Sequence, residues 1–359
     1  MKKIFISLVL LFSTTVLIFS TASQAGAIFL MIYPGSRAVG LGNAYTAISD
    51  DALATYYNPA GLGLQEKKDI VLMHVEWLPG LNPGMYYEFA GVTVPTKYGV
   101  FGGSLIYLTT GETSATRDND PTATWNTFDL AVTLSYAYKL KSNFSLGASG
   151  KFIYSFLAPD WVVQDFSIGS GGQGQSVALD LGLIYSPVKT TTLGLSLSNI
   201  GPGIQYISEG SIDDLPCALR LGIKQMILEN KLNKIIFTTD ITKVFAGINL
   251  DSLNDSDFVF EFSRLAEKKH SGDKDTIPPL SMLEAEFLDT WLSFGTEYLY
   301  YDLFALRAGY FVDYYGERVG FTFGGGIIVK NSIRIDLGVD SEIYSFPTSN
   351  YRISLGFKW

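Results

Sequence analysis

The last nine residues, "YRISLGFKW" (Tyr351–Trp359), alternate without a break. Tyr351, Ile353, Leu355, Phe357 and Trp359 fall on one side; Arg352, Ser354, Gly356 and Lys358 fall on the other. Successive strand side chains point to opposite faces, so this is a strand with one apolar face and one polar face. The pattern recurs upstream. Ile333, Ile335, Leu337 and Val339 alternate with Ser332, Arg334, Asp336, Gly338 and Asp340. Phe128, Leu130, Val132, Leu134, Tyr136 and Tyr138 alternate with Asp129, Ala131, Thr133, Ser135 and Ala137, and Val177 to Tyr185 repeats the scheme around Asp180 and Gly182.

Such alternation builds either a soluble sandwich with an apolar core or a barrel with an apolar outside. Strand length and loop rhythm decide between them. About fourteen strands of roughly ten residues are legible, longer than ordinary soluble strands and suited to a tilted bilayer crossing. Short turns are expected near Thr96-Lys97, Lys141, Val188-Lys189, Glu229–Lys231, Tyr301-Asp302 and Lys330-Asn331. Between them, in strict alternation, come longer connections near 79–84, 109–124, 157–173, 201–216, 244–289, 312–317 and 342–349. Membrane barrels alternate short and long connections in this way, and an even strand number leaves both chain ends on one side. Trp77, Tyr98, Tyr107, Tyr138, Tyr185, Tyr300, Tyr310 and Trp359 are expected as interfacial girdles.

The chain has 359 residues, 47% hydrophobic and 17% charged, with net charge −9. An acidic chain without basic clusters excludes nucleic-acid binding, which needs Lys/Arg to neutralise phosphate. A single cysteine, Cys217, excludes an intramolecular disulfide framework. After the leader, no apolar run is long enough for a membrane-spanning helix.

The leader itself has Lys2 and Lys3, an apolar run from Ile4 to Phe19, and small residues after it. It reads as a cleaved signal peptide, residues 1–25, with cut sites after Ala25 or after Ala27. Removing it takes away two positive charges. Residues 26–67 then form an N-terminal plug segment and 68–359 the barrel, with a long outer loop at 244–289. That loop carries a short helix near Ser281–Asp289 and a charged run around His270. The plug contains "GSRAVGLGNAYTA" (Gly35–Ala47) and "DDALATYYNPAGL" (Asp50–Leu62). Its glycines, Gly40 and Gly42 among them, follow a leader rather than a strand of a βαβ unit, so no dinucleotide loop is present. Small residues suit a coil packed in a narrow space, and Asn58-Pro59 turns the chain toward the first strand.

The residue types for catalysis are sparse. His74 and His270 are the only histidines, and neither has a nucleophile motif or clustered metal ligands, so no enzyme, cofactor or metal is expected. With Val71, Met73, Val75 and Trp77 facing lipid, His74 and Glu76 are expected in the lumen. Asp129, Lys151, Asp180, Glu297, Arg307, Arg334, Asp336, Asp340 and Arg352 join them as polar lumen candidates.

"GSRAVGLGNAYTAISDDALATYYNPAGL" (Gly35–Leu62) resembles the N-terminal segment of FadL-like outer-membrane proteins and of the PorV/PorQ family. "FGTEYLYYDLFALRAGYF" (Phe294–Phe311) and "GFTFGGGIIV" (Gly320–Val329) resemble a strand pair and the strand after it in PorV-type proteins. The resemblance implies an outer-membrane barrel of fourteen strands whose lumen is plugged by Gly40, Gly42, Asp50, Asp51, Asn58, Pro59, Ala60 and Gly61. It implies protein partners, namely exported cargo or translocon and sortase components of type IX secretion. The alternative it carries is a FadL-like transporter with a hydrophobic ligand. The charged long loop departs from the family pattern.

Overall fold

In the computed structural model the described residues are 25–359 without 118–119, 166–168, 247–289, 315, 317, 331 and 342–347. The leader to residue 24, His270, the Ser281–Asp289 segment and the long connection from 247 onward lie outside them.

Fourteen antiparallel strands of the described residues close into a barrel. In chain order these are β1 (Asp69–Glu76), β2 (Tyr86–Thr96), β3 (Gly99–Arg117), β4 (Asp120–Lys141), β5 (Phe144–Phe156), β6 (Gln173–Val188) and β7 (Thr191–Ile200). Then come β10 (Pro216–Glu229), β11 (Asn233–Ala246), β12 (Thr290–Tyr300), β13 (Phe304–Asp313), β14 (Arg318–Val329), β15 (Ile333–Ser341) and β16 (Ser349–Lys358). A two-residue ribbon, β8 (Ile204–Gln205) with β9 (Ile212–Asp213), stands apart from the wall, so β7 pairs with β10. The wall closes where β1 meets β16, from Asp69 opposite Lys358 to Val75 opposite Arg352. Closure matters because lipid cannot satisfy an open strand edge.

The alternation sorts the two faces. On β16, Tyr351, Ile353, Leu355, Phe357 and Trp359 are exposed while Asn350, Arg352 and Ser354 are buried. Outward rings gather into rows: Tyr86, Tyr107, Phe128 and Phe156 touch in succession toward one end. Phe357 stacks on Trp359 at the other end, where Lys68 lies over the Trp359 ring. Such rows suit the two faces of a bilayer.

Three expectations require correction. Residues 109–124 are no loop: β3 and β4 continue as a paired hairpin from Thr109 opposite Phe128 to Arg117 opposite Asp120. A bulge at Thr109/Gly111, with Gly111 at φ 79°, re-aims the pair. Beyond it the outward residues are Glu112, Ser114 and Thr116, so the apolar signal ends before the strands do. The second correction concerns β1, where the faces are reversed. Val71, Met73, Val75 and Trp77 are buried inside, and His74 and Glu76 point outward. Thirdly, Trp77 leaves the girdle, with Arg352 over its ring at 5.4 Å.

Candidate functional site

Residues 26–63 run through the barrel interior and are almost wholly buried, yet only short helical turns form: Ile28–Met31, Ser36–Val39, Ala54–Tyr57 and Pro59–Leu64. A buried coil must find partners for its backbone groups, and here the wall supplies them. Ser36 N donates to Ser354 Oγ, and Gly42 N to Thr322 Oγ1, both at 3.0 Å. Tyr45 N and Thr46 N share Asp240 Oδ2 at 2.9 and 2.8 Å. Ala52 N donates to Asp69 Oδ2 at 2.8 Å. The segment enters at the mouth that carries the long connections, where Gly26 N donates to the Asp214 carbonyl. It leaves at the short-turn end, where Ser145 Oγ donates to the Ala60 carbonyl.

The wall makes room with glycine. Four cross-strand pairs face inward: Gly147 with Gly182, Gly194 with Gly222, Gly295 with Gly309, and Gly324 with Gly338. Each lies against the segment. A Cβ on Gly147 would sit 2.4 Å from the Pro59 carbonyl carbon, on Gly194 2.5 Å from the Thr46 oxygen, on Gly295 2.4 Å from the Leu41 oxygen. On Gly338 it would meet the Ser36 oxygen at 2.5 Å, and on Gly324 the Gly40 Cα at 3.1 Å. The segment answers in kind at Gly42, whose φ is 64° and whose Cβ would meet the Phe294 oxygen at 2.5 Å. This collar of glycines was missed in the sequence. It is written there as an outward Leu or Phe followed by an inward Gly: Leu146-Gly147, Leu181-Gly182, Leu193-Gly194, Leu221-Gly222, Phe294-Gly295, Phe323-Gly324, Leu337-Gly338.

Charge completes the seat. Arg37 makes a two-pronged contact to Glu297 at 2.9 and 3.0 Å, and reaches Asp50 at 2.5 Å and the Tyr45 hydroxyl at 3.0 Å. Glu297 also accepts from Arg307 at 2.8 Å; Arg307 reaches Asp336 at 2.7 Å; Asp336 meets Arg334 at 2.9 Å. Arg334 reaches Asp51 at 2.7 Å, and Asp51 lies 3.7 Å from Arg37, closing the circuit. Six groups of alternating sign thus join the segment to β12, β13 and β15. Buried charges stand only when paired like this. Asp50 is half-exposed at the edge of the circuit; its partial burial works against its charge, yet Arg37, with Lys224 and Lys358 beyond it, holds its carboxyl well below the usual carboxylate range.

Each residue singled out in the sequence has a place. Gly40, Gly42, Asp50 and Asp51 lie in the collar or circuit just described. Asn58 caps the turn after it, accepting from Ala60 N at 3.1 Å, and donates to the Thr46 and Leu183 carbonyls at 3.0 and 3.1 Å. Pro59 starts that turn, and Gly61 packs on Ser49. Glu297, Arg307, Arg334 and Asp336 come together. His74 does not join them: it faces outward, its Nδ1 2.7 Å from Glu88. Met73 Sδ accepts from Gly35 N instead, so the filled lumen demands an apolar inner face on β1. Lys151, Asp180 and Asn199 form a separate inward cluster.

Two cavities adjoin the segment. One of about 420 Å³ opens toward the short turns among Arg37, Asp50, Lys234, Asp302, Arg334 and Lys358. The other, about 400 Å³, lies between residues 63–66 and the β2–β3 turn. At the opposite mouth the β8–β9 ribbon and the 157–172 connection interlock, with Gly172 N donating to the Tyr206 carbonyl at 2.7 Å. This cap exposes Leu157, Trp161 and Ile212.

The chain matches the family model described as type IX secretion system protein PorV over residues 20–250. No curated protein matches it. Among solved structures it is similar to the Ralstonia pickettii toluene transporter TbuX, with TM-score 0.54 and 16% identity over 90% of this chain and 97% of that one. It is also similar to the Pseudomonas putida toluene transporter TodX, with TM-score 0.53 and 13% identity over 91% and 98%. Identities this low establish a shared fold.

Proposed function

The chain belongs to the family of the type IX secretion system protein PorV, and from that premise we propose that it is a non-enzymatic docking barrel of the bacterial outer membrane. It receives exported proteins, or translocon or sortase components, during secretion and surface attachment. Its signal peptide is removed on export, and lipid covers the apolar wall. Residues 26–67 act as the plug. Arg37, held by Asp50, joins it to Glu297, and Asp51 joins it to Arg334, with Arg307 and Asp336 bridging the two on the wall, while Gly40, Gly42, Asn58, Pro59, Ala60 and Gly61 fit it to the collar.

One observation carries this reading: the barrel interior is occupied by the chain's own segment, bonded strand by strand to the wall. What remains to offer a partner is the mouth of long connections, which is the outer one where short turns face the periplasm. There Leu81, Leu157, Trp161, Ile212 and Tyr314 are exposed, an arrangement that favours protein contact.

The fold shared with two toluene transporters favours a second reading, passage of a hydrophobic small molecule. Such a ligand prefers an apolar pocket, whereas the larger cavity is lined by Arg37, Asp50, Lys234 and Arg334. Deletion of the gene from its native host separates the two. The docking reading expects surface proteins to accumulate in the periplasm, with uptake of hydrophobic compounds unchanged. Lost uptake with normal surface proteins supports the transporter and defeats the docking reading.

A further inference from the structure

We infer that the mature chain begins at Gly26, and that its α-ammonium group is held by the Asp214 carbonyl, next to the β8–β9 ribbon at the mouth of long connections. This inference stands independently of the partner question. Gly26 N donates to the Asp214 carbonyl at 2.8 Å, and Ala27 N donates to the Tyr206 hydroxyl at 3.0 Å. Ala27 is buried within the main apolar cluster. A Cβ on Gly26 would stand 2.4 Å from Ile204 Cγ2 and 3.0 Å from Asp213 Cβ. Residue 26 is therefore fitted as a glycine, with the Asp213 side chain against it.

Geometry chooses between the two cut sites that the leader offers. Cleavage after Ala27 would discard both hydrogen bonds and empty the space beside Ile204 and Tyr206. Cleavage after Ala25 keeps all of them. Water adds across the Ala25–Gly26 bond, leaving a carboxylate on Ala25 and an ammonium on Gly26, with no change of oxidation state. The Gly26 donor gains a positive charge where the Asp214 carbonyl already accepts from it and where Asp213, the residue before that acceptor, packs against residue 26, which strengthens the bond. The segment is then fastened at both ends, covalently to β1 and by its own N-terminus at the opposite mouth.

The test uses the full mature barrel purified from outer membranes, with intact mass and the rate of N-terminal acetylation by a water-soluble ester at neutral pH. The expected start is Gly26, acetylated at least about tenfold more slowly than the free peptide Gly-Ala-Ile-Phe-Leu, with Asp213→Asn raising the rate several-fold. A chain starting at Ile28, or acetylation at the free-peptide rate, overturns the inference. An unchanged rate in a folded Asp213→Asn barrel removes the carboxylate from it. Should that variant fail to insert, the wild-type rate alone decides.

Discussion

Replacing Arg37 by alanine attacks the plug where its fastening is most concentrated. The guanidinium is buried, and it makes two bonds to Glu297 and one each to Asp50 and Tyr45. Removing one member of a buried ionic network costs about 3–5 kcal/mol. Glu297 keeps Arg307 at 2.8 Å, so the lower end applies, about 3 kcal/mol. None of the lost contacts joins one wall strand to another, so the cost falls on seating rather than on the barrel. At 1.4 kcal/mol per decade, the seated-to-unseated ratio should fall by roughly 100-fold. Conductance in planar bilayers reads this directly: Arg37→Ala should show roughly 100-fold more frequent openings, while the barrel keeps its heat-dependent mobility in gels. Adding Glu297→Ala should cost less than the sum of the two single changes, by at least about 1 kcal/mol, since the pair is in direct contact. Openings within threefold of wild type in a folded barrel would refute the latch reasoning.

Other perturbations have equally definite outcomes. Asn58→Ala loses a cap and strands the buried Thr46 and Leu183 carbonyls, worth about 2–3 kcal/mol of seating; protease should then cut the plug while the strands resist. Gly42→Val forces a branched side chain onto φ 64° and against the Phe294 oxygen, so openings should increase at least as much as with Arg37→Ala, as recorded by the same bilayer assay. His74→Ala removes an outward pair with Glu88 and a ring contact with Tyr86, neither of which touches the plug, so openings and export should match wild type within error; a large loss in an inserted barrel would restore a working role for this histidine. Because the carboxyl of Asp50 is held below its ordinary value by Arg37, its contribution is complete above the unfolded carboxylate pKa of about 3.9 and is lost as pH falls through the lower folded value. The difference in conductance between wild type and Asp50→Asn should therefore stay constant from neutrality to about pH 5 and shrink only in stronger acid.

The wall was legible because lipid imposes a strict rule on it. "YRISLGFKW" and its upstream counterparts could alternate only as strands with one apolar face, and the turn rhythm told barrel from sandwich. Where the rule lapses, so does legibility. The β3–β4 hairpin continues past the apolar band, so Glu112, Ser114 and Thr116 looked like loop. On β1 the periodicity revealed two faces without saying which meets lipid. Val71, Met73 and Val75 turned inward because the plug gives them an apolar surface to cover. Arg37, Asp51 and Asn58 lie close together in the chain, but their wall partners Glu297, Arg334 and the Leu183 carbonyl lie 260, 283 and 125 residues away. Only closure of the sheet brings them together. The collar was in view as repeated Leu-Gly and Phe-Gly steps, and glycine's association with turns hid it.

The docking function requires that this closed barrel meet proteins at its outer mouth. A photoreactive crosslinking residue in place of Trp161, which is 58% exposed in the long connection after β5, tests it in native outer membranes. Adducts with an exported surface protein or a translocon or sortase component are expected, and none from the same probe at Phe321 on the lipid-facing wall. Trp161 adducts confined to lipid, in cells where the barrel is inserted and secretion is active, would contradict it.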